Sequence, residues 1–520
     1  MRFFIPRACL SSLIFVGLIF SQPVNGQVIV WKAGQKDFEK PTKAAESKPV
    51  GASERESDSR ERTLRLSPMA EASPALKYRF WKSPALRQPG NVNALVTRAV
   101  IQYLSLPNRS KLDEQYVKRA EDWVERHTDV EGLKAHVNEQ REVLNTLYDA
   151  ANLQTIAMEQ HHRNKKGRER LEANNAEIQD LRNLARLLQL DGYLAIVERR
   201  YEDAIRTIST GFRLAEVAQH SGEANMISGL VSIAISGITF TLVEKLNQQA
   251  DAPNLYWALS SLPENLWNQR SWIDGEYESM SRLLYPLLEP ATANMTASDW
   301  SNRLIAAAET IVVTHGLESV PDSSDNETAK GNLASANLFV GAALLVFSDR
   351  AAQELVASGI ANEQVQRMSP AEVVGRITKL EFDSSRDALF KWTLIPSFNK
   401  SYSEKTWKEF RRRIGGNDFS NPANVLCGLL IPALQATDSA ALRLSSTHKQ
   451  LLLIEALRAH AALNDRKLPE SLVNLQPLPT WPNPESGELF EYERVTDTEA
   501  IVRRKPTYPG EISVSRIIVR

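Results

Sequence analysis

One stretch constrains this chain more than any other: residues 181 to 262, which open LRNLARLLQLDGYLAIVERRYEDAIRTISTGFRLAEVA and run on through an uncharged apolar segment to APNLYWALSSLP. Leu187, Leu190, Leu194, Val197 and Tyr201 recur at three-and-four spacing, which puts them on one helical face, while Arg182, Arg186, Glu198 and Arg199 fall to the water side. After Arg200-Tyr201-Glu202-Asp203 the pattern resumes with Ala204, Ile205, Ile208, Phe212 and Ala215. Neither helix can bury its stripe alone, so the spacing predicts a pair that folds back on itself. From Ala224 to Val243 the chain reads ANMISGLVSIAISGITFTLV without a charge. That length and hydropathy suffice for a bilayer. Against it, Ser228, Ser232 and Ser236 repeat every four residues beside Gly229 and Gly237, a surface suited to close helix contact. The flanking helices are amphipathic and the polar N-terminal flank has no basic anchor, so the expectation is a buried central helix clasped by the hairpin.

The hairpin resembles one tetratricopeptide repeat. Gly192 and Gly211 fall at its small positions, and Tyr201 and Ala204 match the Y-x-x-A that opens its second helix. It departs at Leu188, Asp191, Ala195 and Glu216, where the repeat has an aromatic, an apolar residue, a tyrosine and a proline. No second copy follows at the repeat period, and a solenoid needs about three. The expected fold class is therefore mainly α, a repeat-like array of helical hairpins or an orthogonal bundle, with a small C-terminal antiparallel β unit.

The first 26 residues read as a secretory signal. Arg2 and Arg7 make a basic start, Ala8 to Phe20 an apolar core short for a membrane span, and Gly26 closes a polar, Pro-broken end. The expectation is export through the Sec route to the periplasm or cell envelope, or secretion, with an uncleaved anchor as the alternative. Cleavage takes two positive charges and no negative ones, moving the formal charge from −1 to −3. Such near-neutrality gives no basic field for nucleic acid. Of Cys9 and Cys427 only the second survives cleavage, which excludes an internal disulfide and a thiolate metal cluster.

Residues 27 to 73 mix Lys, Glu, Ser and Pro with few large apolar side chains and are expected to form a disordered linker. Order then begins near Pro74, with a helix after Pro89-Gly90-Asn91 that Asn91 or Asn93 can cap. Residues 74–314 form an expected N-terminal helical domain, 315–332 a polar loop, 333–465 a C-terminal helical region and 466–520 a β-containing tail. Within these, helices are expected over Leu112 to His127, Leu133 to Met158, Pro370 to Leu380, Ser384 to Leu394 and Thr437 to Asn464, with Ser369 capping the third. Strands are expected over Leu489 to Val495, Ala500 to Arg504 and Ile512 to Val519.

The strings PALKYRFW with PGNVNALVTRA, LRNLARLL with GFRLAEVA, APNLYWALSSLP and LFKWTLIP resemble those of a group of uncharacterised exported proteins of planctomycete bacteria. The similarity runs with gaps from about Pro74 to the C-terminus and implies membership without an activity, cofactor or catalytic residue. Where that group often has a Cys-Asp-Trp-Gly-like turn, this chain has Met158-Glu159-Gln160-His161-His162.

Chemistry is thinly marked. There is no H-E-x-x-H, no G-x-S-x-G and no phosphate-binding Gly-rich loop, and no cofactor or metal site is expected. The basic run from His161 to Arg170 lacks stacking aromatics and reads as an exposed loop between helices. Asp274, Glu276 and Glu278 are the densest acids near Trp257, Trp267 and Trp272. Asp274 and Glu278 share a helical face, a pattern that suits paired acid and base work on a glycoside and equally a solvated acidic turn. On the long helix, His448 and Glu455 lie seven apart on one face with His460 near, a candidate base pair or a structural one. The function expected is that of an exported, non-enzymatic helical scaffold binding another envelope protein. Its alternative is a hydrolase of an envelope polymer working through these carboxylates. Membrane contact enters only if the signal is uncleaved or 224–243 inserts.

Overall fold

The computed structural model describes residues 60–106, 109–126, 130–156, 168–220, 226–263, 266–267, 272–276, 287, 292, 294–314, 326–394, 422–504 and 512–520. The signal expected at 1–26, the expected linker as far as residue 59, residues 161–167 of the basic run, and Glu278 lie outside these residues. In chain order come β1 (Arg60–Leu66), β2 (Gln88–Asn91), α1 (Val92–Leu104), α2 (Arg109–Arg126), α3 (Val130–Glu139), α4 (Arg141–Ala151) and β3 (Leu153–Thr155). Then come α5 (Arg168–Val197), α6 (Tyr201–His220), α7 (Met226–Asn247), α8 (Tyr256–Ser260), α9 (Ala297–Thr314), α10 (Asn326–Ala357), α11 (Asn362–Val365), α12 (Pro370–Phe390) and α13 (Pro422–Leu463). The chain closes on β4 (Glu491–Thr496), β5 (Glu499–Arg503) and β6 (Ile512–Val519). The fold is mainly α with a small C-terminal antiparallel unit, as expected.

The hairpin doubles back: α5 packs on α6, and both pack on α7. The stop between them is sharp because Arg199 takes a positive φ of 57° and the Arg200 amide bonds back to Ala195 O at 2.8 Å. Small residues set the approach of the third helix. A Cβ at Gly192 would lie 2.7 Å from Leu242 Cδ1, and one at Gly211 2.5 Å from Thr239 Oγ1. On α7 itself Ser228, Ser232 and Ser236 are fully buried, and Trp267 Nε1 donates to Ser236 Oγ at 2.9 Å. Among the described residues α7 is the one helix long and apolar enough to cross a membrane, and 61% of its most apolar window is buried in protein. The far side of α7 meets α13, where Leu444 approaches Gly237.

Several expectations require correction. The linker does not extend to residue 73: β1 is a strand that pairs in parallel with β6, giving the sheet order β1-β6-β5-β4. Its sequence RERTLRL alternates, so Leu64 and Leu66 are buried beside Ile517 and Val519 while Glu61 and Arg65 point out. High local charge hid this period of two. The helix expected over 133–158 is broken at Gln140 and ends at Ala151, after which β3 pairs with β2. The Gln140 side chain turns inward to a buried carboxylate instead of continuing the helix face. Residues 168–170 of the basic run open α5, and 326–332 of the polar loop open α10, because Glu327, Ala329 and Lys330 favour helix despite their polarity. The helices expected over 370–380 and 384–394 run together as α12, which Ser369 caps through the Glu372 amide at 3.2 Å and which passes after Phe390 into a 3-10 turn over Lys391–Leu394.

The boundary at 315–332 does not separate cores. A large core joins β1, α1 through α8, α13 and the C-terminal sheet. A smaller one joins α9, α10 and α12 around Trp300, Leu355 and Phe382, so residues 297–314 pack with the helices that follow the boundary. Apolar partners lie across the polar stretch, which is why composition misplaced the division.

Candidate functional site

His448 and Glu455, the pair singled out on the long helix, are occupied with packing and with structural contacts. His448 is 5% exposed, its Nε2 bonded to Leu259 O at 3.0 Å and its ring stacked on Phe240 at 5.7 Å and edge-on to Trp267 at 5.6 Å. Because a carbonyl can only accept, Nε2 carries the proton. Burial, with Lys449 beside it in sequence, pulls the imidazole down to about 4, while the Leu259 bond opposes. Glu455 shares the helix but not the contacts. It is fully buried against Arg458, whose Nη1 donates to Glu455 Oε2 at 2.9 Å. Burial pushes the Glu455 carboxyl up and Arg458 opposes it. Arg458 also donates to Ser67 O at 3.1 Å and Ala252 O at 2.7 Å, fastening the chain beyond β1 to α13 and to the turn before α8. His460 sits at the Gln476 backbone, Nδ1 to O 3.0 Å.

The acids near the tryptophans separate in the same way. Asp274 is exposed. Glu276, on the same helical stretch of 272–276, accepts the Met226 amide at 3.0 Å and so caps α7 at its N-terminus. Burial raises its carboxyl and the Met226 bond partly offsets that. Neither faces His448 in a pocket, and Trp272 is fully buried on Gly229 instead of lining a groove.

The structure instead assembles a cleft that sequence reading missed. The segment 76–87 crosses α4 and α6 and encloses about 770 Å³ with them. Ser261 holds the strap from below, accepting the Phe80 and Trp81 amides at 3.1 Å each, while Ser209 of α6 donates to Phe80 O at 3.2 Å. Lining the cleft are Lys77, Arg79, Lys82, Arg87, Arg206 and Arg213, against Glu202 as the acid of the lining. Three of these cations lie over rings of the same cleft: Lys77 over Tyr78 at 4.7 Å, Arg87 over Trp81 at 5.1 Å and Arg206 over Tyr148 at 4.4 Å. Each ring holds a cation in place over one of its faces.

The floor is built from buried charge. Arg213, 4% exposed, pairs with Glu216 and donates to Leu153 O at 2.8 Å and Gln154 O at 3.1 Å, tying α6 to β3. Glu216 also accepts from Arg87 Nη1 at 3.3 Å. One carboxylate thus serves two buried guanidinium groups, and burial lowers Arg213. Tyr148 donates to Asp191, shares a 2.7 Å bond with Thr207, and is pushed up by burial and by Asp191. Arg141 closes the network on Asp191 at 3.0 Å. Asp191, which stands at an apolar position of the repeat pattern, was one visible signal of this polar floor. The alternation of basic and aromatic residues in Lys77-Tyr78-Arg79-Phe80-Trp81-Lys82 was another.

A second polar cluster is closed to solvent. Asp113 accepts from Tyr103 at 2.7 Å, His136 at 2.6 Å and Gln140 at 3.1 Å, with Tyr116 stacked on His136 at 4.3 Å. It satisfies the buried Asp113 and joins α1, α2 and α3. Among the described residues no three His, Cys, Asp or Glu side chains gather as metal ligands. Comparison with protein-family models, curated proteins and solved structures returns no match.

Proposed function

We propose that this is an exported, non-enzymatic helical scaffold that holds an envelope partner in the cleft between residues 76–87 and α6. The observation that carries the reading is the cleft's makeup: six cations and one acid line it, with no opposed pair of carboxylates. Such a lining binds an anionic group and offers no acid and base for glycoside cleavage. Hydrolysis of an envelope polymer draws no support from Asp274, which is exposed, or Glu276, which caps α7. Periplasmic or envelope location rests on the signal-like first 26 residues, and membrane contact enters only through an uncleaved signal or insertion of 224–243.

A photo-crosslinking residue at Leu86, on the cleft rim, tests this in the native host, with Val473 as an exposed control outside the cleft. The reading requires a discrete envelope adduct from position 86 and none from 473. Equal labelling from both positions, or none from either, removes it.

A further inference from the structure

Resting on that reading, we propose that the partner's contact is an acidic peptide segment that carries at least one large apolar side chain among its carboxylates. Charge sets the first half. Four of the six cations are paired within the chain, Lys77 with Glu202, Arg206 with Asp203, and Arg87 and Arg213 with Glu216. The cleft still keeps an excess of three positive charges on a chain that is slightly acidic as a whole, so an acidic segment is drawn to this place and not to the surface at large. Arg206, its side chain 58% exposed, is laid on Tyr148, which fixes its plane before any ligand arrives. Pre-set guanidinium forks match carboxylates and lose little rotamer freedom on binding.

The apolar half comes from the rim. Leu76 and Leu86 line the same cleft and are 56% and 61% exposed, large aliphatic surfaces left uncovered beside a ring of cations. A free oxyanion or an acidic glycan brings no aliphatic side chain to cover them, whereas a peptide does. The rings point the same way. With one face of each of Tyr78, Trp81 and Tyr148 carrying a cation and Phe80 buried, the cleft leaves less aromatic surface on which a sugar ring or nucleobase could stack. The volume of about 770 Å³ takes a few residues of chain, not a folded domain.

Fluorescence anisotropy on the full exported protein tests this with the labelled peptide EELEELE, hexaglutamate, trigalacturonate and inorganic phosphate as competitor. The peptide is expected to bind saturably, with hexaglutamate weaker and the other two failing to compete. Lys82→Gln with Arg206→Gln, both at exposed positions, should weaken the peptide by about tenfold or more, the loss of one or two charge-assisted contacts, with the circular dichroism spectrum unchanged. Leu86→Ser should weaken EELEELE several-fold and leave hexaglutamate unmoved. Binding of trigalacturonate or phosphate as tight as that of the peptide overturns the proposal, as does peptide binding indifferent to all three substitutions. A crosslink from position 86 without peptide binding removes the acidic peptide and keeps the partner cleft; loss of both removes both.

Discussion

Gly229 on α7 lies beneath the indole of Trp272, so close that a Cβ there would sit 2.3 Å from Trp272 Cδ2. Trp272 is fully buried, and its ring cannot swing out without opening the core. Gly229→Ala gains about 1 kcal/mol of helix propensity. The overpacking it creates costs about 1–3 kcal/mol or more, so steric strain outweighs propensity. Urea unfolding should show net destabilisation, whereas Gly341→Ala, whose added Cβ meets nothing within 4 Å, should be neutral or stabilising.

The pairing of β1 with β6 makes a prediction that a tether would not. Leu66 is 1% exposed beside Val519, so Leu66→Ala should cost about 2–5 kcal/mol in denaturant unfolding. If residues 60–66 were only a solvated tether, the midpoint would not move.

Arg458 carries the chain beyond β1 as well. Removing it by Arg458→Ala leaves Glu455 buried without its counter-charge and strands the carbonyls of Ser67 and Ala252, a loss of about 3–5 kcal/mol. The readout is the shift in thermal midpoint, and a shift no larger than that of a surface arginine such as Arg206 would contradict the assignment.

His448 gives the pH dependence its sign. Its folded-state value, about 4, lies below the ordinary 6.5 of an unfolded histidine, so the unfolded chain takes up a proton that the folded one refuses. Its contribution is therefore full above about pH 6.5 and falls away as pH drops toward 4, by up to tenfold in the unfolding constant per pH unit. Unfolding free energies from pH 7 to 4.5 should fall more steeply in the native protein than in His448→Gln. Parallel profiles would show that the imidazole does not titrate as its burial requires.

Much of the fold was legible because its signals are local. Asn91 accepts the Asn93 amide at the start of α1, and Ser369 caps α12 ahead of Pro370, each from a pattern a few residues long. The chargeless run of α7 demanded cover, and its serines and glycines gave the contact face. The cleft was not legible in this way. Its cations and rings come from 77–87, from Tyr148 and from 206–213, and each piece alone reads as an ordinary amphipathic or linker segment. Spacing did place His448 and Glu455 on one helix, but what they do is set by Leu259, Phe240, Trp267 and Arg458. Three of these four partners come from elsewhere in the chain.

The architecture depends on α7 being covered by protein, since α6, which lines the cleft with Arg206 and Arg213, is seated on it. Hydrogen exchange of the full chain in detergent-free buffer tests this most directly. The amides of Met226–Asn247 should rank among the slowest in the chain, with α5 and α6 close behind. A protein recoverable only in detergent, or one whose 226–247 amides exchange freely until lipid is added, would contradict it.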